Sequence, residues 1–447
     1  MNSKFKKIIS IMIITILITV GLSIPANAAS YDPGFETTTK AITLLNLDTG
    51  ITVYEKNSNE KVYPASVTKI MTYIVTIENV VDVDNTMVTV SKELIDSLEG
   101  TQSSLADLKE GETLSVYTLL NCLMVPSGND AATVLAHYVG NGDIQVFVDM
   151  MNQKAQELGC TNTHFVNPTG LHDENHYTTS NDVCKFTQYA MQMPMFMNIV
   201  SQTSYTVPQT NLRNERQLVS TNYMMIPYYE EYYYKYTSGI KTGWHDQAGY
   251  CIVTSATADG YSYICAAMGA PSQDENGEEI ETNAAMLDSR ELYRWALTTF
   301  EIKNVLDSNS PIDEIPINYA WGQDTILLSP EKSASYLLPK DVNPSSISVT
   351  MIDRPESIDA PIKKGDIVGR AKLSYANQDL MEINVVADGD VSRSDLMYYL
   401  HVLKNIFSSF WFILMFVVFI ILVIVYILLM RAYNKKSNKR VRKYRNF

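Results

Sequence analysis

Apolar and polar positions alternate early in the chain. Ala41 to Leu47 and Ile51 to Glu55 read as two strands joined at the Asp48-Thr49-Gly50 turn. From Thr72 the spacing becomes helical, and helical runs recur at Val116 to Met124 and Ala131 to Tyr138. Beyond Pro316 the pattern changes. Short alternating runs at Ser346 to Ile352, Ile367 to Leu373 and Leu380 to Val386 are broken by Pro, Gly and Asn, and no long helix is expected before about Ser394.

The two ends are different again. Lys4, Lys6 and Lys7 precede an apolar run from Ile8 to about Ile24, followed by Pro25 and Ala26-Asn27-Ala28-Ala29. A charged head, a short greasy middle and an Ala-x-Ala exit predict a secretory signal peptide cut after Ala28. From Ile406 to Met430 no residue is charged, enough to cross a bilayer core of ~30 Å as a helix. Behind it come Arg431, Lys435, Lys436, Lys439, Arg440, Arg442, Lys443 and Arg445 with no acid, a flank expected to stay cytoplasmic. The stretch between the ends is about 375 residues, more than one core ordinarily supports, and the change of pattern places a seam near Asn304 to Pro316. The expected organisation is a signal peptide at 1–28, a mixed α+β domain at 29–303, a β-rich domain at 304–400, a transmembrane helix at 406–430 and a basic cytoplasmic tail at 431–447. The protein is then single-pass in the cell membrane, with everything before the helix outside the cytoplasm.

Charge sharpens this picture. The chain carries −14, and setting aside three signal lysines and eight tail cations leaves about −25 between the ends. This balance speaks against a nucleic-acid partner, since phosphate contacts need a basic face. Cys122, Cys160, Cys184, Cys251 and Cys265 lack Cys-x-x-Cys spacing, so neither a disulfide scaffold nor a thiolate metal site is implied. The odd count leaves at least one free thiol. Seven tyrosines between Tyr223 and Tyr236 are read as packing and loop filling in preference to a carbohydrate-stacking surface.

Three short motifs carry chemistry. In Ser66-Val67-Thr68-Lys69 a serine and a lysine three apart share one helical face, and acyl transfer by a serine needs a base beside it. The same spacing at Ser3/Lys6 and Ser329/Lys332 shows how little the motif says alone. Ser127-Gly128-Asn129 lies in a turn, where Ser127 can relay a proton and Asn129 can hold a peptide amide. Lys241-Thr242-Gly243 belongs to a strand expected to run on past Ala248-Gly249 into Tyr250 to Ala256. Lys241 and the Thr242 hydroxyl can grip a carboxylate, and Gly243 lets a substrate approach the backbone. An edge-strand lysine guarding against aggregation is the plain alternative.

The three motifs in this order characterise β-lactamases and penicillin-binding proteins. The chain resembles the low-molecular-weight penicillin-binding proteins, serine D-alanyl-D-alanine carboxypeptidases of peptidase family S11. The resemblance extends to Asn167-Pro168-Thr169-Gly170-Leu171, His176-Tyr177-Thr178-Thr179, Asp182, Ala248-Gly249-Tyr250 and Pro361-Ile362-Lys363-Lys364-Gly365. It implies a β-lactamase/transpeptidase-like catalytic domain with a central antiparallel sheet, then a small all-β domain. It implies Ser66 as nucleophile, Lys69 as base, Ser127 as proton relay, Asn129 as amide holder, and Lys241 with Thr242 and Gly243 as the substrate clamp. It also implies an oxyanion hole formed by the backbone N–H groups of Ser66 and Trp244. The implied partners are a peptidoglycan stem peptide and β-lactam antibiotics, with no cofactor and no metal. His245 stands where the family usually has a small hydroxyl residue, and Ala285 where many members have an arginine. A D,D-endopeptidase, a β-lactamase and a penicillin-sensing receptor share the motifs. No Glu-x-x-Leu-Asn loop lies between Asn129 and Lys241 to drive a β-lactamase's water, and the tail is too short for a signalling domain. Lysine ordinarily titrates near ~10.4, so Lys69 can act as a base only if burial and a neighbouring Lys241 depress it.

Overall fold

The computed structural model describes residues 31–101, 103–376 and 378–443, the side chains of 434–443 excepted. The expected signal peptide and most of the tail's basic side chains lie outside this range. The chain divides into two compact units, Met1–Lys303 with Tyr336–Asn343, and Asn304–Ser335 with Pro344–Phe447.

The first unit is built on strands β1 (Ala41–Asn46), β2 (Thr52–Lys56), β3 (Thr237–His245), β4 (Gly249–Ala258) and β5 (Tyr261–Ala270). They form one antiparallel sheet in the order β2-β1-β5-β4-β3. Every residue of β1 is buried, because the sheet is covered on both faces. The two-residue period assigns the faces. Ile264, Ala266 and Met268 of β5 join a cluster with helices α1 (Lys69–Asn79), α2 (Val116–Met124) and α3 (Asn129–Val139). Tyr263, Cys265 and Ala267 join the opposite cluster, with α4 (Ala284–Thr299). Helix α1 runs through the middle, with residues 69–76 all buried, and apolar Ile70, Met71, Tyr73, Ile74 and Val75 leave Lys69 as the one cation there.

One expectation about this sheet is corrected. The Lys-Thr-Gly strand does not continue past Ala248-Gly249 but folds back, so β3 and β4 are a hairpin with Trp244 opposite Tyr250. Gly249 allows the reversal: its φ is +66°, and a Cβ there would meet the Ala270 carbonyl oxygen at 2.2 Å. The His245 Nδ1 accepts the Ala248 N–H across the turn at 3.1 Å.

The second unit holds a six-stranded sheet of β6 (Asp313–Asn318), β7 (Thr325–Pro330), β8 (Ser348–Met351), β9 (Ile358–Asp359), β10 (Ile367–Tyr375) and β11 (Gln378–Ala387). Its order is β8-β10-β11-β7-β6-β9, antiparallel except for the β6–β9 pair. Helices α5 (Asp395–Ser408) and α6 (Phe410–Lys443) follow. The apolar run expected to span from Ile406 is interrupted. The Ser408 hydroxyl turns back onto the Lys404 carbonyl, and Ser409 is extended (ψ 133°). The span long and apolar enough to cross a membrane is Phe410–Tyr433, starting four residues later than expected.

Candidate active site

Ser66 occupies a short 3-10 turn, Ala65–Thr68, that leads into α1. Two glycines let other segments press against this turn. A Cβ on Gly170 (φ +89°) would lie 1.8 Å from the Ala65 carbonyl oxygen, and one on Gly243 would lie 3.0 Å from both the Pro64 carbonyl oxygen and the Ser66 nitrogen. The chain around Ser66 is therefore clamped between the 167–171 loop and β3, with the backbone of β3 against the Ser66 N–H.

Lys69 Nζ lies 2.7 Å from Ser66 Oγ, 3.5 Å from Ser127 Oγ and 2.9 Å from the Thr169 carbonyl oxygen. The lysine is fully buried. Burial first, and the charge of Lys241 second, hold its amine well below the ordinary lysine value, against an opposing pull from Asp130. An amine in that state has a lone pair to offer a serine proton.

Ser127 is held at φ +65° in the turn between α2 and α3. Asp130 organises the neighbourhood by accepting the N–H groups of Ala106, Leu108 and Ala131, while the Asn129 N–H donates to the Ser104 carbonyl at 2.8 Å. The segment 104–108 is thereby tied to the turn. Asn129 itself is 3 % exposed.

Lys241 lies on β3, an edge strand, yet is 1 % exposed, so it does not act as a solvated guard of the edge. Its Nζ donates to the Thr242 carbonyl at 2.9 Å, and burial pushes the amine down to about 7. Thr242 shares a short hydrogen bond with the Thr221 hydroxyl. Trp244 is half exposed, its indole stacked beside Tyr250.

Three features were given no role at the site from the sequence, although two of them lie in segments that carry the family resemblance. The Thr169 carbonyl fixes Lys69, but any residue could supply a carbonyl, and the loop is positioned by Asn167, whose Oδ1 accepts from the Thr169 hydroxyl and the Gly170 N–H. Thr221 meets Thr242 from 21 residues away. His176 is buried, accepts the Val166 N–H on Nδ1 and so donates from Nε2 to the Thr68 hydroxyl beside Lys69. Burial lowers its titration to about 3, so it stays neutral in this role.

The remaining expectations fall into place by packing. Ala285 is fully buried in the core cluster on the α4 side of the sheet. His245 rests 5.3 Å from His172, and Tyr63 meets His172 edge-on at 4.7 Å. Tyr232, Tyr234 and Tyr236 pack against the α4 cluster, and Tyr223 stacks on Tyr229. All five cysteines are buried and free.

The chain is similar to known proteins in sequence and in fold. Residues 26–272 match the D-alanyl-D-alanine carboxypeptidase family, peptidase S11, and residues 300–393 match the C-terminal domain of penicillin-binding protein 5. The D-alanyl-D-alanine carboxypeptidase DacF of Bacillus subtilis is 29 % identical over 81 % of this chain and 88 % of its own length. The DacA carboxypeptidase of Haemophilus influenzae is 27 % identical over 80 % and 86 %. The structure of DacD from Francisella tularensis superposes with a TM-score of 0.64 at 27 % identity, covering 84 % of this chain and 99 % of that one. That of penicillin-binding protein 5 from Haemophilus influenzae gives 0.61 at 25 %, covering 80 % and 99 %. With a buried lysine against a serine at the head of a central helix, and a family match over more than half its length, the chain belongs to the serine D-alanyl-D-alanine carboxypeptidases of peptidase family S11.

Proposed function

We propose that this carboxypeptidase removes the terminal D-alanine of peptidoglycan stem pentapeptides through an ester on Ser66, and that penicillin acylates the same hydroxyl. The observation that carries the assignment is the buried Lys69 amine 2.7 Å from Ser66 Oγ. Neutral Lys69 takes the Ser66 proton as Oγ attacks the carbonyl of the penultimate residue. The negative oxygen that develops is met by the N–H groups of Ser66 and Trp244, a preorganised pair worth up to ~3 to 4 kcal/mol per donor. The Lys69 proton passes by way of Ser127 to the leaving amine, and the C–N bond breaks to free D-alanine. Water then attacks the ester with Lys69 again as base, regenerating the Ser66 hydroxyl and releasing the tetrapeptide.

Lys241 and Thr242 hold the substrate's terminal carboxylate, Gly243 admits it, and Asn129 holds an amide of the peptide. With Lys241 near 7 in the free protein, an incoming carboxylate raises its affinity for a proton, so substrate and positive charge bind together. The β-rich 304–400 domain serves as a spacer that keeps the cleft clear of the lipid. The span at Phe410–Tyr433 anchors the protein with its cleft outside the cytoplasm and the basic tail within, after removal of residues 1–28.

The test incubates the soluble part, residues 29 to 400, with a pentapeptide ending in D-Ala-D-Ala and with a labelled penicillin. Wild type releases D-alanine and takes up the label, while Ser66→Ala does neither. D-alanine release that survives the substitution rejects the nucleophile.

A further inference from the structure

The hydroxyls of Thr221 and Thr242 meet, and among the described residues neither has another hydrogen bond. Thr221 is brought there by a segment pinned on two sides. Its N–H donates at 3.4 Å to the carbonyl of Val125, which immediately precedes the Pro126-Ser127 turn. The next side chain, buried Asn222, donates to the Gly239 carbonyl of β3 at 2.6 Å, and the Ser220 N–H donates to the Thr203 carbonyl at 2.9 Å. The segment is thereby riveted both to the strand that carries Lys241 and to the turn that carries Ser127.

Each threonine hydroxyl has a single proton to give, and with nothing bound either oxygen of the pair can be the donor. A carboxylate arriving at Thr242 removes that freedom, given the clamp proposed above, on which this inference rests. An ionised carboxylate only accepts, so the Thr242 proton must point outward to it. Thr242 Oγ1 is then left to accept the proton of Thr221.

We infer that Thr221 is a positioning residue that sets the polarity of the clamp: it donates to Thr242, and so turns the Thr242 O–H toward the terminal carboxylate of the substrate. Hydrogen bonds in series polarise one another, which makes the outward O–H a stronger donor. A peptide whose terminus is blocked as an amide puts an N–H where one carboxylate oxygen would lie, and a donor fixed outward opposes it. Thr221 therefore favours a free carboxylate over a blocked one without touching either.

The test measures KM and kcat separately for wild type, Thr221→Val and Thr221→Ser. Two pentapeptides are compared, one ending in D-Ala-D-Ala and one in D-Ala-D-alaninamide. A donor that only holds the carboxylate is engaged equally before and during the reaction. Thr221→Val should therefore raise KM for the carboxylate peptide about fivefold and leave its kcat within about twofold. The amide peptide should keep its KM within about twofold, and Thr221→Ser, which still has a proton to give, should restore the wild-type KM. Equal changes on both peptides, a loss confined to kcat, or no recovery with serine would reduce Thr221 to a structural part and overturn the relay. A lower KM in Thr221→Val would overturn it too, by showing that Thr221 competes with the substrate for the Thr242 proton. No D-alanine from the carboxylate peptide with wild type would instead overturn the carboxypeptidase reading itself.

Discussion

Cations on the sheet of the second unit and the two lysines at the active site of the first are used in opposite ways. On the sheet of the second unit, Arg370 reaches Asp353 and Glu382, both at 2.7 Å, and Lys372 reaches Asp379 at 2.9 Å. These pairs are exposed, and the carboxylates hold both cations above their ordinary values. In the first unit Lys69 and Lys241 are buried, neither is in an ion pair among the described residues, and burial holds both below the ordinary value. Partnered cations in water decorate a surface and contribute little. Unpartnered amines out of water become chemical reagents, because the environment favours the neutral, nucleophile-activating form.

The contrast breaks most sharply at Lys69. Lys69→Arg keeps a side chain of similar reach but one that does not give up its proton, so it removes the base. Penicillin acylation and D-alanine release should each fall about 10²- to 10⁴-fold, the usual worth of a general base. Stopped-flow acylation with labelled penicillin measures it, and a loss of less than tenfold would mean that something else deprotonates Ser66.

A second measurement separates the two buried lysines by pH. For a carboxylate-ended peptide, kcat/KM should rise with pH as Lys69 loses its proton. It should fall as pH climbs through about 7, where Lys241 in the free protein loses the charge that attracts the carboxylate. The sign follows from both groups being amines, each cationic below its own titration and neutral above it, and their depression sets the pH window. A depsipeptide or amide without the terminal carboxylate should keep the rising limb and lose most of the falling one. A falling limb of equal size on both substrates would remove Lys241 from the clamp.

The smallest effect belongs to the other side of the comparison. Arg370→Ala deletes two surface pairs from the second unit. It should leave D-alanine release by the soluble protein unchanged and move the melting temperature by no more than about 2 °C, since exposed pairs are screened. A large drop in melting temperature would show that the exposed network carries more weight than its position implies.

Much of the site was legible beforehand because side-chain chemistry at short spacing survives without tertiary context. Ser66 and Lys69 are three residues apart on one turn, so their contact is local. Ser127 and Lys241 were recognisable only as members of an ordered set, and their burial was not. The β3–β4 hairpin reads as one strand in the sequence because the carbonyl of Ala270 that makes glycine necessary at position 249 lies 21 residues on. Ser408 and Ser409 are unremarkable in an apolar run until a hydroxyl caps its own helix.

Sequence alone therefore determined the chemistry available: a nucleophile, two amines, a relay hydroxyl, an apolar segment able to cross a membrane, and the alternation that builds one sheet. Tertiary structure decided the state of those groups. It closed the 167–171 loop over Lys69, set Thr221 against Thr242 and withdrew both lysines from water. The reason is that a titration shift depends on which atoms surround a group, and those atoms come from distant segments of the chain: Thr169 is 100 residues from Lys69 and Lys241 is 172.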